Sequence, residues 1–268
     1  MLLTKDVSYE YSSSFQLEGI DIEIKKGEIV SLIGPNGSGK STLLRIISRL
    51  IRPKGGEVIL DGTSIQRMHS IDIAKKLAML PQMHDHQLDL TVSELVEFGR
   101  YPHQRKYNKL TSEDKKIIEW AINVTRLSQY RNRMLHSLSG GERQRAWIAM
   151  AIAQRPNILL LDEPTTYLDI SHQLEVMELI HSLNISLGMT VVMVLHDINQ
   201  AARYSDRLIV IKDGSVYFDG RPQQVLCKEM FQTIFEIDAE IDSKEGKPFF
   251  TPIRSRKEGT DEKRAFEY

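Results

Sequence analysis

The chain has 268 residues, of which 41% are hydrophobic and 26% are charged, and its formal net charge is −1. This composition is typical of a globular protein with a sizeable core, and the near-zero charge argues against bulk electrostatic binding of nucleic acid. Cys227 is the single cysteine, which excludes an intramolecular disulfide and fits a reducing compartment. No apolar run approaches the roughly 20 residues that span a bilayer, and we expect no secretory signal in residues 1–6.

The first part of the chain alternates between strand and helix patterns. Residues 28–33 form a largely apolar run that ends at Gly34, which is typical of a buried strand. Leucine and isoleucine then recur at helical spacing through residues 41–51. The Pro-Lys-Gly-Gly segment at 53–56 is predicted to end that helix, and residues 58–60 are predicted to form another strand.

Strand signals fade from about residue 85 to residue 154, which predicts a helical insert. Within it, Thr91 followed by Glu94 is typical of a helix cap, and residues 112–127 have a helical pattern. Strands return at 158–161 and 190–195 around a helix over 171–187, and a hairpin is predicted over 208–218. This alternation predicts an α/β fold with a mostly parallel sheet. The mixed charges of residues 254–268 predict a frayed end.

A glycine-rich turn joins the first buried strand to the first helix. Residues 34–41, Gly-Pro-Asn-Gly-Ser-Gly-Lys-Ser, match the pattern G-x-x-x-x-G-K-[ST]. Glycines let backbone N–H groups turn inward around an anion, and the N-terminus of the following helix adds partial positive charge. In this pattern Lys40 reaches the β- and γ-phosphates of a nucleotide, and the Ser41 hydroxyl binds Mg²⁺. The sequence therefore predicts a site for a nucleotide and Mg²⁺.

Two carboxylates follow the apolar strand predicted over residues 158–161. Asp162 and Glu163 come directly after it, and ligands of open α/β sheets bind at the carboxyl ends of the strands. Adjacent side chains point in different directions, so the two carboxylates can act separately. We expect Asp162 to bind Mg²⁺, directly or through water, and Glu163 to orient and deprotonate an attacking water.

One further segment carries a family resemblance. Residues 138–145, Leu-Ser-Gly-Gly-Glu-Arg-Gln-Arg, resemble the signature motif of ABC-type ATPases. The resemblance implies ATP as the nucleotide and a RecA-like P-loop NTPase core, with an N-terminal antiparallel β subdomain and an inserted α-helical subdomain. It also implies a head-to-tail dimer in which Ser139, Gly140 and Gly141 touch the γ-phosphate held by the other subunit.

Single positions elsewhere match other motifs of this family. Gln82 matches the glutamine that senses Mg²⁺ and the membrane partner, and Asp169 matches the aspartate of the loop that crosses the dimer interface. His196 matches the switch histidine near the γ-phosphate. Tyr11 fits the aromatic residue that stacks on adenine, with Tyr9 as its competitor.

The resemblance thus implies a full set of site residues. Glu163, His196 and Lys40 are the implied catalytic residues, and Ser41, Gln82 and Asp162 are the implied metal-binding residues. The implied nucleotide contacts are Tyr11, Gly34, Pro35, Asn36, Gly37, Ser38, Gly39, Lys40, Ser41, Thr42, Gln82, Ser139, Gly140, Gly141 and Asp169.

The resemblance covers about residues 1–220, which leaves 221–268 as a short C-terminal extension with a charged tail. No catalytic position departs from the family pattern, which implies two equal sites and hence a symmetric homodimer. The family also implies two polytopic membrane permease subunits, an extracytoplasmic substrate-binding protein reached through the permease, and no nucleic acid partner. We therefore expect a peripheral protein at the cytoplasmic face of the cell membrane.

Three segments resemble the ATPases of importers for iron–siderophores, haem and cobalamin. They are residues 165–173, residues 96–103 in the helical insert, and the short ending at 237–241 and 248–250. The resemblance is strongest for siderophore importers. It also makes Phe98, Tyr101 and His103 candidate contacts of the membrane subunit, with packing of the insert as their alternative role. Fold and ATPase chemistry do not fix the cargo, so iron–siderophore import is an expectation by analogy.

Several alternatives stay open at this stage. The first is import of haem or cobalamin, and the second is an exporter, although exporters often fuse the ATPase to membrane spans. The third is a non-transport ABC ATPase such as an iron–sulfur assembly factor. The last is a nucleotide-binding switch without turnover.

Overall fold

The computed structural model describes residues 1–12, 15–82, 88–104 and 110–256. The strands are β1 (Leu2–Ser12), β2 (Phe15–Ile24), β3 (Ile29–Ile33), β4 (Gly55–Leu60), β5 (Thr63–Ser64), β6 (Leu77–Leu80), β7 (Ile158–Asp162), β8 (Thr190–Val194), β9 (Arg207–Lys212), β10 (Ser215–Gly220), β11 (Ile237–Lys244) and β12 (Lys247–Ser255). The helices are α1 (Lys40–Ile47), α2 (Ser70–Lys76), α3 (Val92–Phe98), α4 (Ser112–Val124), α5 (Gly140–Ala153), α6 (Ile170–Leu187), α7 (Ile198–Tyr204), α8 (Pro222–Val225) and α9 (Lys228–Met230).

A six-stranded sheet lies at the centre of the described structure, in the order β10-β9-β3-β8-β7-β6. Strands β9, β3, β8, β7 and β6 are parallel, and β10 pairs antiparallel with β9 at one edge. The predicted parallel-sheet core and the predicted hairpin are both confirmed. Because the strands run in the same direction, the residues that follow β3, β7 and β8 lie at one edge of the sheet.

Each central strand is covered on both faces, which explains the uninterrupted apolar runs of β3, β7 and β8. Alternate residues enter two different cores. Val30 and Leu32 of β3 pack with α1 and the N-terminal strands. Ile29 and Ile33 of the same strand pack with residues of α5, α6 and α7. The strand ends are therefore held rigidly between two layers. One layer contains α1 and the N-terminal strands, and the other contains α5, α6 and α7.

A second, antiparallel sheet has the order β2-β1-β4-β5. Its inward residues share one core with α1, so this sheet covers the face of the central sheet on which α1 lies. A buried hydrogen bond from the Ile22 backbone N–H to the Thr4 hydroxyl (2.9 Å) ties β2 to β1. The predicted N-terminal antiparallel subdomain is confirmed.

Helices α3, α4 and α5 lie between β6 and β7 and pack on one another. The predicted cap at Thr91 is confirmed as a capping box, in which the Thr91 N–H donates to Glu94 Oε2 (2.7 Å) and the Thr91 hydroxyl accepts from the Glu94 N–H (3.3 Å). Helix α4 ends at Val124, earlier than predicted, and Arg126 adopts a left-handed φ of 58°.

Helix α1 also ends earlier than its apolar spacing predicts, at Ile47 rather than at residue 51. Just beyond it, Arg49 adopts a φ of 60°. The Arg49 guanidinium donates to the carbonyl oxygens of Ile65 (3.3 Å) and Met68 (2.6 Å). These contacts with a distant segment hold the chain out of the helix, which a local periodicity could not indicate.

The C-terminal extension is folded as far as residue 256. Strands β11 and β12 form a hairpin, and Arg254 and Arg256 each donate to Asp238 at 2.7 Å, which lowers the pKa of Asp238 to about 2. The Phe250 N–H donates to Asn199 Oδ1 on α7 (2.9 Å), and Asn199 Nδ2 donates to the Phe250 carbonyl (3.2 Å). The prediction of fraying from residue 254 is therefore wrong for Arg254 to Arg256, and residues 257–268 lie outside the described ranges.

In the ranges that the structure covers, none of the helices combines the length and the apolar character needed to cross a bilayer. The limits of the helical insert at about residues 85 and 154, and the domain limit at residue 220, stay predictions.

A buried ion pair supports the helical insert. The Arg100 side chain donates from Nε to Asp114 Oδ1 (2.8 Å) and from Nη1 to the Ala153 carbonyl (2.7 Å), and both charged side chains are less than a tenth exposed. Asp114 also completes the capping box of α4 with Thr111. Burial works to raise the pKa of Asp114, but the hydrogen bonds from Thr111 and Arg100 hold it below its ordinary value.

We expect Asp114→Ala to lower the free energy of unfolding by about 3–5 kcal/mol, because it leaves the Arg100 guanidinium buried and unpaired. Glu113→Ala, at an exposed position of the same turn, should change it by about 0.5 kcal/mol or less. Urea denaturation at neutral pH measures both. Since the pKa of Asp114 is lowered on folding, the wild-type advantage is complete above the unfolded pKa and shrinks as the pH falls through the folded one. Equal urea midpoints for Asp114→Ala and wild type at neutral pH would contradict this role.

Candidate active site

The predicted phosphate loop lies between β3 and α1. Gly34, Gly37 and Gly39 have φ values of 144°, 78° and 104°, which side chains with a Cβ rarely adopt. At Gly34 a Cβ would also lie 1.9 Å from the Ile211 carbonyl oxygen of β9. Helix α1 begins at Lys40, so its free N–H groups face the loop. The local geometry is that of an anion-binding turn.

Lys40 lies inside this loop and is only 5% exposed. Its ammonium donates to the carbonyls of Gly34 (2.9 Å) and Pro35 (2.7 Å) and approaches the Ser38 hydroxyl (3.3 Å). Burial lowers the pKa of Lys40, and the nearby carboxylates of Asp162 and Glu163 oppose that shift. The cation is therefore held by neutral oxygens at the place where an anion would bind.

Asp162 is 2% exposed at the end of β7. Its Oδ1 accepts a hydrogen bond from the Ser41 hydroxyl at 2.7 Å, whereas its buried Oδ2 has no hydrogen-bond partner among the described residues. Burial raises the pKa of Asp162, Ser41 opposes this effect, and the neighbouring Glu163 carboxylate adds to it. A buried carboxylate with an unpaired oxygen next to a hydroxyl is a donor set that suits Mg²⁺, which prefers oxygen ligands.

Glu163 follows with a left-handed φ of 53°, and its N–H donates to the Val194 carbonyl of β8 (3.2 Å). The strained backbone turns the carboxylate into the cavity. Its Oε1 lies 2.5 Å from His196 Nε2. Its Oε2 accepts from Gln82 Nε2 (2.8 Å) and from the Thr166 hydroxyl (2.9 Å). Both oxygens of the carboxylate are thus oriented by side chains, two from other segments and one from Thr166 of the same loop.

Most of these groups line one cavity of about 790 Å³, within the usual range for small-molecule sites. It brings together most of the predicted phosphate and catalytic residues. Its lining residues are Asn36, Gly37, Gly39, Lys40, Ser41, Thr42, Gln82, Glu163, Thr166, Tyr167 and His196.

The predicted residues of the signature segment, and Asp169, do not line this cavity. Ser139 caps α5 through a capping box with Glu142, and neither Ser139 nor Gly141 lines the 790 Å³ cavity. Asp169 caps α6 and does not line it either. Gly140 and Asp162 line a neighbouring groove of about 1130 Å³ that shares Gln82, Glu163, Thr166 and Tyr167 with the cavity. Within one chain, the signature segment therefore does not meet the phosphate loop.

The predicted adenine contact stays untested. The backbone of Tyr11 belongs to β1, but its side chain lies outside the described part of the structure. Tyr9, the competing residue, is partly buried against the core that contains α1.

Two residues of the cavity were missed in the sequence. Thr166 follows Glu163 by three positions, a spacing at which a hydroxyl often reaches back to a neighbouring polar group, so a signal existed. Tyr167 adopts a φ of 64° and is 88% exposed. No pattern in the sequence indicated that its ring would line the cavity.

Comparison with known proteins agrees with this geometry. The family model described as ABC transporter matches residues 17–166. The chain is 61% identical over 259 residues to the petrobactin import ATP-binding protein FpuC of Bacillus anthracis, covering 97% of this chain and 95% of that protein. It is 47% identical over 249 residues to the iron(3+)-hydroxamate import ATP-binding protein FhuC of Bacillus subtilis (strain 168), covering 92% and 93%.

Solved structures agree as well. The dimeric structure of MJ0796, a bacterial ABC transporter cassette, matches with a TM-score of 0.72 and 35% sequence identity, covering 82% of this chain and 98% of that chain. The family match spans more than half of the sequence, and the two sequence relatives extend over nearly all of it. The chain therefore belongs to the ABC transporter family, as one of its ATP-binding subunits.

Proposed function

We propose that this chain hydrolyses ATP to drive the import of iron–siderophore complexes. The observation that carries the cargo is the 61% identity to FpuC over 97% of the chain, because the name of that relative states petrobactin import. The name of FhuC, at 47% identity, states import of an iron(3+)-hydroxamate. These two names state import of petrobactin and of an iron(3+)-hydroxamate, and we assign the same cargo class, iron–siderophores, to this chain.

The phosphate loop and the N-terminus of α1 bind the phosphates of ATP in this proposal. The ammonium of Lys40 exchanges the carbonyls of Gly34 and Pro35 for oxygens of the β- and γ-phosphates, since charged acceptors make stronger hydrogen bonds than neutral ones. Ser38 lies beside the ammonium, and Thr42 lines the same cavity. Tyr11 is the proposed adenine contact, on the family resemblance alone.

Ser41 and Asp162 hold Mg²⁺, with Gln82 as the third proposed ligand. Support comes from the unpaired, buried Oδ2 of Asp162, which lies next to the oxygen that accepts from Ser41. When bound, Mg²⁺ offsets the charge of the phosphates and of the leaving group. The raised pKa of Asp162 has burial as its main cause, so a cation at this place would favour the ionised carboxylate.

Glu163 is the general base that takes a proton from the attacking water. Its carboxylate is 12% exposed and is oriented by His196, Gln82 and Thr166, so it needs little reorganisation when the nucleotide binds. His196 is more exposed, with 45% of its side chain accessible, and lies at the mouth of the site. It contacts the γ-phosphate and keeps the Glu163 carboxylate in position.

The complete site is formed by two copies of the chain. Ser139, Gly141 and Asp169 lie outside the cavity of their own chain, and the side chain of Asp169 is 67% exposed. A head-to-tail homodimer places the capped N-terminus of α5, with Ser139 and Gly140, against the γ-phosphate held by the other copy. The MJ0796 cassette, 35% identical to this chain, was solved as a dimer.

The transporter also contains two polytopic membrane permease subunits and an extracytoplasmic substrate-binding protein. The ATPase lies against the permease at the cytoplasmic face of the membrane. Phe98 and Tyr101 of the helical insert are 55% and 74% exposed, which suits a contact with the permease. His103 Nε2 is instead within 2.8 Å of the Gln154 carbonyl, so its role is packing within the insert.

Glu163→Gln tests the chemistry of the site. We expect ATP turnover to fall about 10²- to 10⁴-fold, the usual range for loss of a general base, while nucleotide binding is kept and a stable ATP-bound dimer accumulates. Steady-state phosphate release and size-exclusion chromatography in saturating Mg-ATP measure the two effects. Glu178→Gln, on an exposed part of α6, is the matched control. Turnover within about twofold of wild type would show that Glu163 is not the base.

Uptake in cells tests the cargo. In a strain that lacks this chain and relatives able to replace it, wild type should restore accumulation of radioactive iron from ferric petrobactin or a ferric hydroxamate. Lys40→Ala should not, because it removes the cation that binds the phosphates, whereas the exposed Lys116→Ala should behave as wild type. Haem and cobalamin uptake are measured alongside. Restoration of one of these in place of iron–siderophore uptake would reassign the cargo and keep the ATPase role.

A further inference from the structure

Two side chains in the first turn of α6 reach out of the helix to other segments. His172 and Gln173 follow Asp169, which caps α6 by accepting from the His172 N–H at 2.9 Å. Both side chains are only partly buried. We call this pair the α6 junction, because its contacts join the Asp169 loop to two different helices.

The His172 ring joins the Asp169 loop to the signature segment. Its Nδ1 lies 2.9 Å from Asp169 Oδ1, the same oxygen that caps the helix. The other edge of the ring lies against Gly141, where an added Cβ would be 2.2 Å from the His172 Cδ2. Gly141 therefore has a structural reason to be glycine besides close approach to a phosphate, since the ring occupies the space that a side chain would need.

Gln173 joins the same loop to α7. Its Nε2 donates to the Leu168 carbonyl (2.9 Å), and its Oε1 accepts from Gln200 Nε2 on α7 (2.7 Å). Helix α7 begins two residues after His196 and is capped by Asp197, which accepts from the Gln200 N–H (3.0 Å). The residue that carries the bond to Gln173 thus belongs to the first turn after the switch histidine.

The contacts of His172 and Gln173 connect residues that act on different ATP molecules of the dimer. In the proposed homodimer, His196 and Glu163 act on the ATP held by their own chain, whereas Ser139 and Gly140 act on the ATP of the partner. Within one chain, a displacement of His196 reaches Gln200, then Gln173 and Leu168, and a displacement of Asp169 reaches Gly141 through the His172 ring. His196 is linked to Gln200 through its chain neighbour Asp197, which caps α7, and Leu168 is the chain neighbour of Asp169. The other steps are hydrogen bonds or direct contacts between described residues.

We propose that His172 and Gln173 are positioning residues that couple the two active sites of the dimer. They hold the signature start, the Asp169 loop and the helix after His196 in one fixed arrangement, so that closure at one nucleotide aligns the segment that completes the other. The inference rests on the proposed homodimeric ATPase. It assigns the junction no contact with ATP, so the affinity of each chain for nucleotide is independent of it.

The first experiment compares His172→Ala, His172→Asn and Gln173→Ala in the full chain. Because neither side chain touches the nucleotide cavity, binding of a fluorescent ATP analogue and the thermal midpoint should stay at wild-type values. We expect kcat for ATP hydrolysis to fall about 2- to 30-fold in the two alanine variants, with loss of sigmoidal dependence on ATP, as for residues that carry coupling between sites. Asparagine keeps an N–H donor near the position of Nδ1, so His172→Asn should recover most of the wild-type kcat.

His181→Ala, at an exposed histidine of the same helix, is the control and should match wild type. Wild-type kcat and ATP dependence in both alanine variants would overturn the proposal. So would a loss of kcat that is accompanied by weaker nucleotide binding or a lower midpoint, or a His172→Asn variant as impaired as His172→Ala. Absence of hydrolysis and of ATP-dependent dimers in wild type itself would instead reject the proposed function.

A double-mutant cycle tests the contact itself. Gly141→Ala places a methyl group against the His172 ring, so it should reduce ATP-dependent dimerisation in the Glu163→Gln background. His172→Ala removes the two closest atoms of the ring and should make the added Gly141→Ala change less damaging. An equal loss of dimerisation from Gly141→Ala in both backgrounds would show that the glycine is required for another reason. That result would refute the proposed coupling through His172.

Discussion

The parallel pairing of β3 with β8 and of β8 with β7 is the constraint on which the site depends. Val194 pairs with Leu32 on one side and with Asp162 on the other, so the three strands end at the same level. The contact between β7 and β8 continues one residue beyond β7, because the Glu163 N–H donates to the Val194 carbonyl. Segments that are distant in the sequence thus supply the phosphate loop, the Glu163 carboxylate and the His196 imidazole of one cavity. Each strand is packed on both faces, so these positions are rigid.

The charged groups at this edge are placed where burial disfavours their charge. Asp162 and Lys40 are both almost inaccessible, and burial shifts the pKa of each toward the neutral form. A fold selected for stability alone would not keep an aspartate oxygen buried and unpaired. In the proposed function, phosphates and Mg²⁺ would supply the opposite charges. The unfavourable burial of Asp162 and Lys40 then lowers the stability of the folded chain, but it holds both groups in position for the reaction.

Local sequence patterns indicated the phosphate loop and the two carboxylates more accurately than they indicated where the helices and strands end. The loop at residues 34–41 carries its own glycines, strand and helix, and Asp162 and Glu163 follow an apolar strand, so each could be found within a short window. The end of α1 could not, because Arg49 is held by carbonyls of residues 65 and 68. Likewise, β12 contains two prolines, which are typical of loops and edge strands, so its sequence does not indicate a strand. Pairing with β11 fixes it as one.

The glycine at position 141 is a second case in which a contact with a distant segment could not be predicted from local sequence. The sequence explained it by close approach to an anion, which local chemistry suggests for a Ser-Gly-Gly segment at a helix N-terminus. The structure adds the His172 ring, a neighbour that belongs to a different helix. Only the packing of α6 against α5 brings the two together, so no spacing rule could have indicated the contact.

Helix α7 is held by contacts from both sides of residue 220. One turn of this helix is held by Gln173 through Gln200, and the same turn is held by the C-terminal hairpin through the paired hydrogen bonds of Asn199 with Phe250. The Phe250 ring in turn packs against Phe231 with 4.4 Å between ring centroids. The helix that follows His196 is therefore fixed from two sides, by the Asp169 loop and by the extension. The short extension, although remote from the nucleotide cavity, is part of the framework that sets the position of the histidine.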